Sequence, residues 1–207
     1  MNFYHLILLD ASGSMDCIRQ TALSGCNETI QSIRSMQNKH PEQEHFITLV
    51  SFNSDDATRL ILDCVPVSEA KELTVNDYCP ESCTPLYDAV GLSILRLEKK
   101  ISGADSCVLV TVITDGLENA SSEFNADSLK RLVEKKKHDN WTFAFIGANQ
   151  DEVMEAKKIG IHNSLSFEQN VSGTKRMFSR FGAAMRTFCE AAPTMSAEER
   201  DSSFFNE

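Results

Sequence analysis

An aspartate and two serines spaced by two residues, Asp10, Ser12 and Ser14, follow the apolar run 3–9 and precede a long amphipathic stretch. In an extended turn that spacing points all three side chains the same way, and Gly13 permits a tight bend between the serines. One carboxylate and two hydroxyls converging on a point make a hard-oxygen donor set. Such a set selects magnesium or calcium, whereas zinc or iron calls for imidazole or thiolate. Two further oxygen-bearing residues stand in comparable places. Asp115 ends a second apolar run, 107–114, and Thr84 precedes a proline at a helix start.

The elements that must position these residues can be read from periodicity. The run 3–9 is short and nearly all apolar, which predicts a strand covered on both faces. Ile18, Ala22, Cys26, Ile30, Ile33 and Met36 recur every three or four places and predict a helix over 15–37, with Ser14 as its N-cap. The positive end of that helix is a poor neighbour for a cation, so Asp10 has to supply neutralising charge. Strands over 46–52 and 59–65, joined by Asn53-Ser54-Asp55-Asp56, predict an antiparallel hairpin whose second strand is a sheet edge. The span 66–83 reads as a short helix plus loop. Thr84-Pro85 then opens a helix whose Leu86, Ala89, Val90, Ser93, Ile94, Leu97 and Ile101 share a face. Strands over 107–114, 141–146 and 164–167 alternate with helices over 125–137, up to about 158, and around Met177, Phe178, Phe181, Ala184, Met185 and Phe188. The result is an α/β fold of Rossmann-like type: an open, mainly parallel six-stranded sheet with one antiparallel edge strand and helices on both faces. In that architecture ligands sit beyond the carboxyl ends of the strands, where the strand order reverses. Asp10 and Asp115 meet there if the first and fourth strands are neighbours.

Composition narrows the class. The 207 residues are 42% hydrophobic and 24% charged, as in an ordinary globular protein. Thirty acidic against twenty basic residues give a net charge of -10, which disfavours nucleic-acid phosphates and anionic membranes as partners. The basic run Lys135-Lys136-Lys137-His138 reads as a solvated helix end that complements the helix dipole. The first residues show no basic region or cleavage pattern, so the apolar run reads as a strand rather than a signal. Seven cysteines, odd in number and scattered, predict free thiols in a reducing cytoplasm. Cys79 and Cys83 form the one close pair, read as ordinary loop and core thiols rather than a zinc site. One domain is expected over 1–190, followed by a polar, flexible tail over 191–207. Its Phe204 and Phe205 are either an anchor for a partner or packed back onto the domain.

Taken together, Asp10-x-Ser12-Gly13-Ser14, Thr84 in Thr-Pro-Leu-Tyr-Asp-Ala and Asp115 in Thr-Asp-Gly carry a resemblance. In these motifs, and in element order over 1–189, the chain resembles the von Willebrand factor type A (vWA) domain with its metal-ion-dependent adhesion site. The resemblance implies a magnesium ion at the top of the sheet, with manganese or calcium as substitutes. It implies that the hydroxyls of Ser12, Ser14 and Thr84 bind the ion directly and that Asp10 and Asp115 act largely through waters. One coordination position is then left for a Glu or Asp of a protein partner. Neutral hydroxyl ligands leave the ion most of its charge and hence its attraction for an outside carboxylate. Family members with a mobile last helix switch affinity by moving the equivalent of Asp115 into direct contact. Asn119 reads equally as a supporting hydrogen-bonder or as a plain loop residue. The expectation is therefore a non-enzymatic, cytoplasmic protein-binding module. Two alternatives remain at this point: a magnesium-dependent phosphohydrolase using Asp10, and a metal-independent scaffold. Against the first, the position two residues on, where aspartyl-phosphate enzymes place a second aspartate, is Ser12.

Overall fold

The computed structural model describes residues 1–101, 106–202 and 204–205. Its six strands are β1 (Asn2–Asp10), β2 (Glu44–Phe52), β3 (Arg59–Pro66), β4 (Ser106–Thr114), β5 (Trp141–Gly147) and β6 (Asn163–Ser166). They form one sheet in the order β3-β2-β1-β4-β5-β6. Every pairing is parallel except β2 with β3, as the short connection between them requires. The chain builds outward from β1 through β2 to β3, then returns to the other side of β1 as β4. The strand order thus reverses between β1 and β4, and Asp10 and Asp115 stand at that crevice.

Alternate residues of the central strands feed two cores. Ile7 and Leu9 of β1 join α1 (Arg19–Lys39) and α5 (Val171–Ala191), whereas Leu6 and Leu8 join α2 (Leu86–Glu98) and α3 (Ala126–His138). α4 (Gln150–Lys158) contributes Ala156 to the second core. Full burial of such an aliphatic side chain stabilises by about 1.5–3 kcal/mol, so β1 is fixed from both faces and Asp10 is carried to a defined place. The contact between α1 and α5 is close because Gly25 lacks a side chain. A Cβ there would lie 2.1 Å from the ring of Phe178.

Some expectations shift. Ser14 is not a helix N-cap: Gly13–Ile18 is a 3-10 segment, and α1 begins only at Arg19. The Ser14 hydroxyl is used instead on Asp115, 2.7 Å away. Pro85 precedes the first turn of α2 rather than entering it. The span 66–83 holds turns and no helix. Side chains of α1 fix it, with Arg34 donating to the carbonyls of Val67 and Ala70, Arg19 to those of Val75 and Tyr78, and Asn27 to that of Leu73. Lys136, expected in solvent, is only 3% exposed and pairs with Glu98 at 2.6 Å and Asp139 at 3.2 Å. Of the stretch 191–207, residues 203, 206 and 207 lie outside the described residues. The short helix α6 (Ala197–Ser202) lies here, and Phe204 packs its ring against Phe181 and Phe188. Among the described residues no helix is long and apolar enough to cross a membrane.

Candidate metal centre

Asp10 ends β1 with its carboxylate wholly buried. Its Oδ1 accepts from the Ser12 backbone N–H at 2.7 Å and its Oδ2 from the Thr114 hydroxyl at 2.5 Å. The Tyr78 hydroxyl, also buried, donates to the Asp10 carbonyl at 2.6 Å and fixes the backbone as it leaves the strand. The Ser12 and Ser14 hydroxyls lie 3.2 Å apart, and Ser14 donates to Asp115 Oδ1. Both serines thus project to one side of the turn, as their spacing predicts.

Thr84 enters from the other wall. Its N–H donates to Asn119 Oδ1 at 2.8 Å and its carbonyl accepts from the Asn119 N–H at 3.1 Å, so Asn119 is a positioning residue rather than a plain loop asparagine. Gly116 shows how the parts converge. A Cβ on it would lie 2.7 Å from Thr84 Oγ1 and 3.5 Å from Asp10 Oδ2, so the absence of a side chain here lets the Thr84 hydroxyl and the Asp10 carboxylate approach from the two walls. The five residues read from the sequence, Asp10, Ser12, Ser14, Thr84 and Asp115, are brought to one end of the sheet.

The electrostatics of the site are one-sided. Burial pushes the Asp10 carboxyl up to about 6, although hydrogen bonds from Thr114 and Ser12 pull it down; the neighbouring charge of Asp115 pushes the same way as burial. Burial also raises Asp115, against the pull of the Ser14 hydroxyl and the Gln169 amide. No cationic side chain among the described residues lowers either carboxyl. Two desolvated carboxylates and three hydroxyls, without a lysine or arginine to balance them, form a donor set that fits a small hard cation.

Four supporting residues escape sequence reasoning. Thr114 and Tyr78 hold Asp10, as described. Asp88, inside the Thr-Pro-Leu-Tyr-Asp-Ala motif, accepts from the backbone N–H groups of Ser122, Glu123 and Phe124 at 2.7, 3.0 and 2.7 Å. Gln169, between β6 and α5, donates to Asp115 Oδ2 and, at 3.0 Å, to the Ser14 carbonyl. Only the hydroxyl of Thr114, one residue before an aspartate at a strand end, left any trace in the local pattern.

No protein-family model matches the sequence, and no curated protein matches it. Solved structures do match in fold. The PilB minor pilin from Streptococcus sanguinis superposes with a TM-score of 0.64 at 13% identity, over 90% of this chain and 61% of that one. A von Willebrand factor type A protein from Catenulispora acidiphila gives 0.63 at 16% identity, over 88% and 42%. The SpRpn10 VWA domain gives 0.60 at 12% identity, over 86% and 93%. This chain thus spans 61% and 42% of the first two structures. At these identities the likeness establishes the fold: a six-stranded, mostly parallel Rossmann-like sheet similar to that of vWA domains.

Proposed function

We propose that this chain is a divalent-metal-dependent protein-binding module, in which Asp10, Ser12, Ser14, Thr84 and Asp115 hold magnesium. The observation that carries this reading is the gathering, at one end of the sheet, of two buried carboxylates without a cationic partner and three hydroxyls, Ser14 on Asp115, Ser12 beside Ser14, and Thr84 with Asp10 beside Gly116. When bound, the ion supplies an electrophilic point for an acidic side chain of a partner protein. Ser12, Ser14 and Thr84 contribute neutral oxygens, which orient an ion without quenching its charge. Asp10 is already engaged through both oxygens, by Ser12 and Thr114, which suits a role through ordered water better than direct ligation.

The same engagement counts against the phosphohydrolase alternative, since a nucleophilic carboxylate needs a free oxygen with access to the phosphorus. Fold neighbours that include a minor pilin and VWA domains also favour binding over turnover. All seven cysteines are free thiols, which supports a reducing, cytoplasmic setting. The net charge of -10 suits protein over nucleic-acid or membrane partners.

Capture from native lysate tests the reading. Partners are expected to be retained by wild type in magnesium and lost with chelator or with Asp10→Ala. Release by neither treatment would leave a metal-independent scaffold. Phosphoester turnover lost in Asp10→Ala would establish an enzyme instead. Gly116→Ala provides a test that leaves every charge in place. The added methyl pushes into Thr84 Oγ1, so the magnesium-dependent rise in melting temperature is expected to fall by more than half. The cost in chelator is expected to stay in the range of about 1–3 kcal/mol typical of overpacking.

A further inference from the structure

Toward the opposite end of the sheet, three metal-ligating side chains meet in the core between the sheet and α5. His5 on β1, His45 on β2 and Cys189 near the end of α5 are 2%, 1% and 1% exposed. One ligand atom from each lies within 4.8 Å of the other two. The imidazoles are stacked, with centroids 5.3 Å apart, and His5 Nε2 lies 3.0 Å from His45 Nδ1.

The hydrogen bonds fix the protons. Gln43 Nε2 donates to the Cys189 carbonyl at 3.4 Å, which leaves Gln43 Oε1 as the acceptor facing His45 Nε2 at 3.3 Å. His45 therefore carries its proton on Nε2, and its Nδ1 accepts from His5 Nε2–H. This leaves His5 Nδ1 as a buried lone pair with no hydrogen-bond partner among the described residues. That lone pair can take up the ring's own Nε2 proton when Nε2 is engaged by another group. Burial also holds both rings in the neutral form that binds metals, with His5 well below its ordinary value and His45 at about 4.

We propose that His5, His45 and Cys189 form a second, buried site for a borderline transition cation of the zinc class. Two imidazole nitrogens and a thiolate are the donors zinc takes, and magnesium does not compete for them. With zinc–nitrogen bonds of about 2.0 Å, a tetrahedral ion holds two nitrogens about 3.3 Å apart, close to the 3.0 Å between His5 Nε2 and His45 Nδ1. On binding, the ion takes the place of the proton between the rings. That proton moves from His5 Nε2 to Nδ1, both rings stay neutral, and the Cys189 thiol gives its proton to solvent. The site lies five residues back along β1 from Asp10, roughly 17 Å at strand spacing, and is independent of the hydroxyl site.

The test uses chelator-stripped protein, given zinc or cobalt in saturating magnesium, both when folded and during refolding. One ion per chain is expected after desalting, with release of about one proton per ion. Cobalt is expected to show a thiolate-to-metal charge-transfer band. Cys189→Ser should abolish that band and His5→Gln should weaken zinc binding at least a hundredfold, with folding verified by circular dichroism. Asp10→Ala should keep zinc and lose only the magnesium response, which separates failure here from failure of the hydroxyl site. Wild type that retains no stoichiometric zinc by either route would overturn the proposal. So would a cobalt complex without a thiolate band, or one unchanged in Cys189→Ser.

Discussion

Asp10→Asn is expected to make the metal-free protein more stable at pH 7 and, in the same stroke, unresponsive to magnesium. The argument starts from burial, which lifts the folded-state pKa of Asp10 from its ordinary 3.8 to about 6. A carboxyl raised in this way favours the fold in its protonated form. That contribution is fully present below about pH 4 and is lost as pH rises through about 6. A shift of roughly two units corresponds to about 3 kcal/mol of lost stability at pH 7 in chelator. Asparagine keeps the shape without the charge. Its Oδ1 can still accept from Ser12, and its amide can donate to Thr114 Oγ1, whose hydroxyl has the Gly116 carbonyl 3.1 Å away as a second acceptor. A gain of about 1–3 kcal/mol is therefore expected in chelator, together with a flatter stability profile between pH 4 and 6. Wild type at a hundredfold excess of magnesium over its dissociation constant should gain about 2.7 kcal/mol, and the variant little of it. Urea titrations with and without magnesium read both effects. A variant that is weaker in chelator yet keeps the full magnesium increment would remove both the charge penalty and the metal role from Asp10.

Asp88→Ala is expected to be the most damaging change near the site, although Asp88 is not among the five oxygen-bearing residues. It leaves three backbone donors, those of Ser122, Glu123 and Phe124, without their shared carboxylate. Hydrogen bonds to a charged group contribute about 1.5–3 kcal/mol each, and water replaces part of this because Ser122 and Glu123 are exposed. The expected cost is about 3–5 kcal/mol in denaturant titration. The loop that loosens is the one whose Asn119 pairs with both backbone groups of Thr84. The magnesium increment of the variant should shrink as well. Asp88→Asn, which retains one carbonyl oxygen toward those donors, should lie between it and wild type. Equal stability of Asp88→Ala and wild type would show that these three bonds contribute nothing net.

Both predictions mark where sequence reading succeeds and where it stops. Asp10 and Asp115 were legible because apolar runs announce strands and a carboxylate straight after such a run must emerge at a strand end. Ser12 and Ser14 were legible through their spacing, and Thr84 through the proline that follows it. The mainly parallel sheet and its antiparallel edge follow from alternation and loop length, whereas the neighbouring of the first and fourth strands enters the sequence reading only as a condition for Asp10 and Asp115 to meet. Asp88 and Gln169 were not legible, since their partners lie 34 or more residues away and nothing local records a bond to a distant backbone. The span 66–83 departs from the expected short helix for the same reason. Its turns are held by arginine and asparagine side chains of α1, a tertiary effect that overrides local propensity. Ser14 is not an N-cap because the Asp115 carboxylate, just past the end of β4, takes its hydroxyl.

The Phe178 ring seated where Gly25 has no side chain gives the joint between α1 and α5 a mechanical character. A smooth interface lets one helix glide past another by small increments. A ring lodged in a notch resists that, because the residues on either side of Gly25 along α1 carry side chains. Packed interfaces of this kind hold discrete arrangements rather than a continuum. Any travel of α5 along its axis would therefore require the ring to lift clear and reseat, which makes the joint a detent rather than a slide.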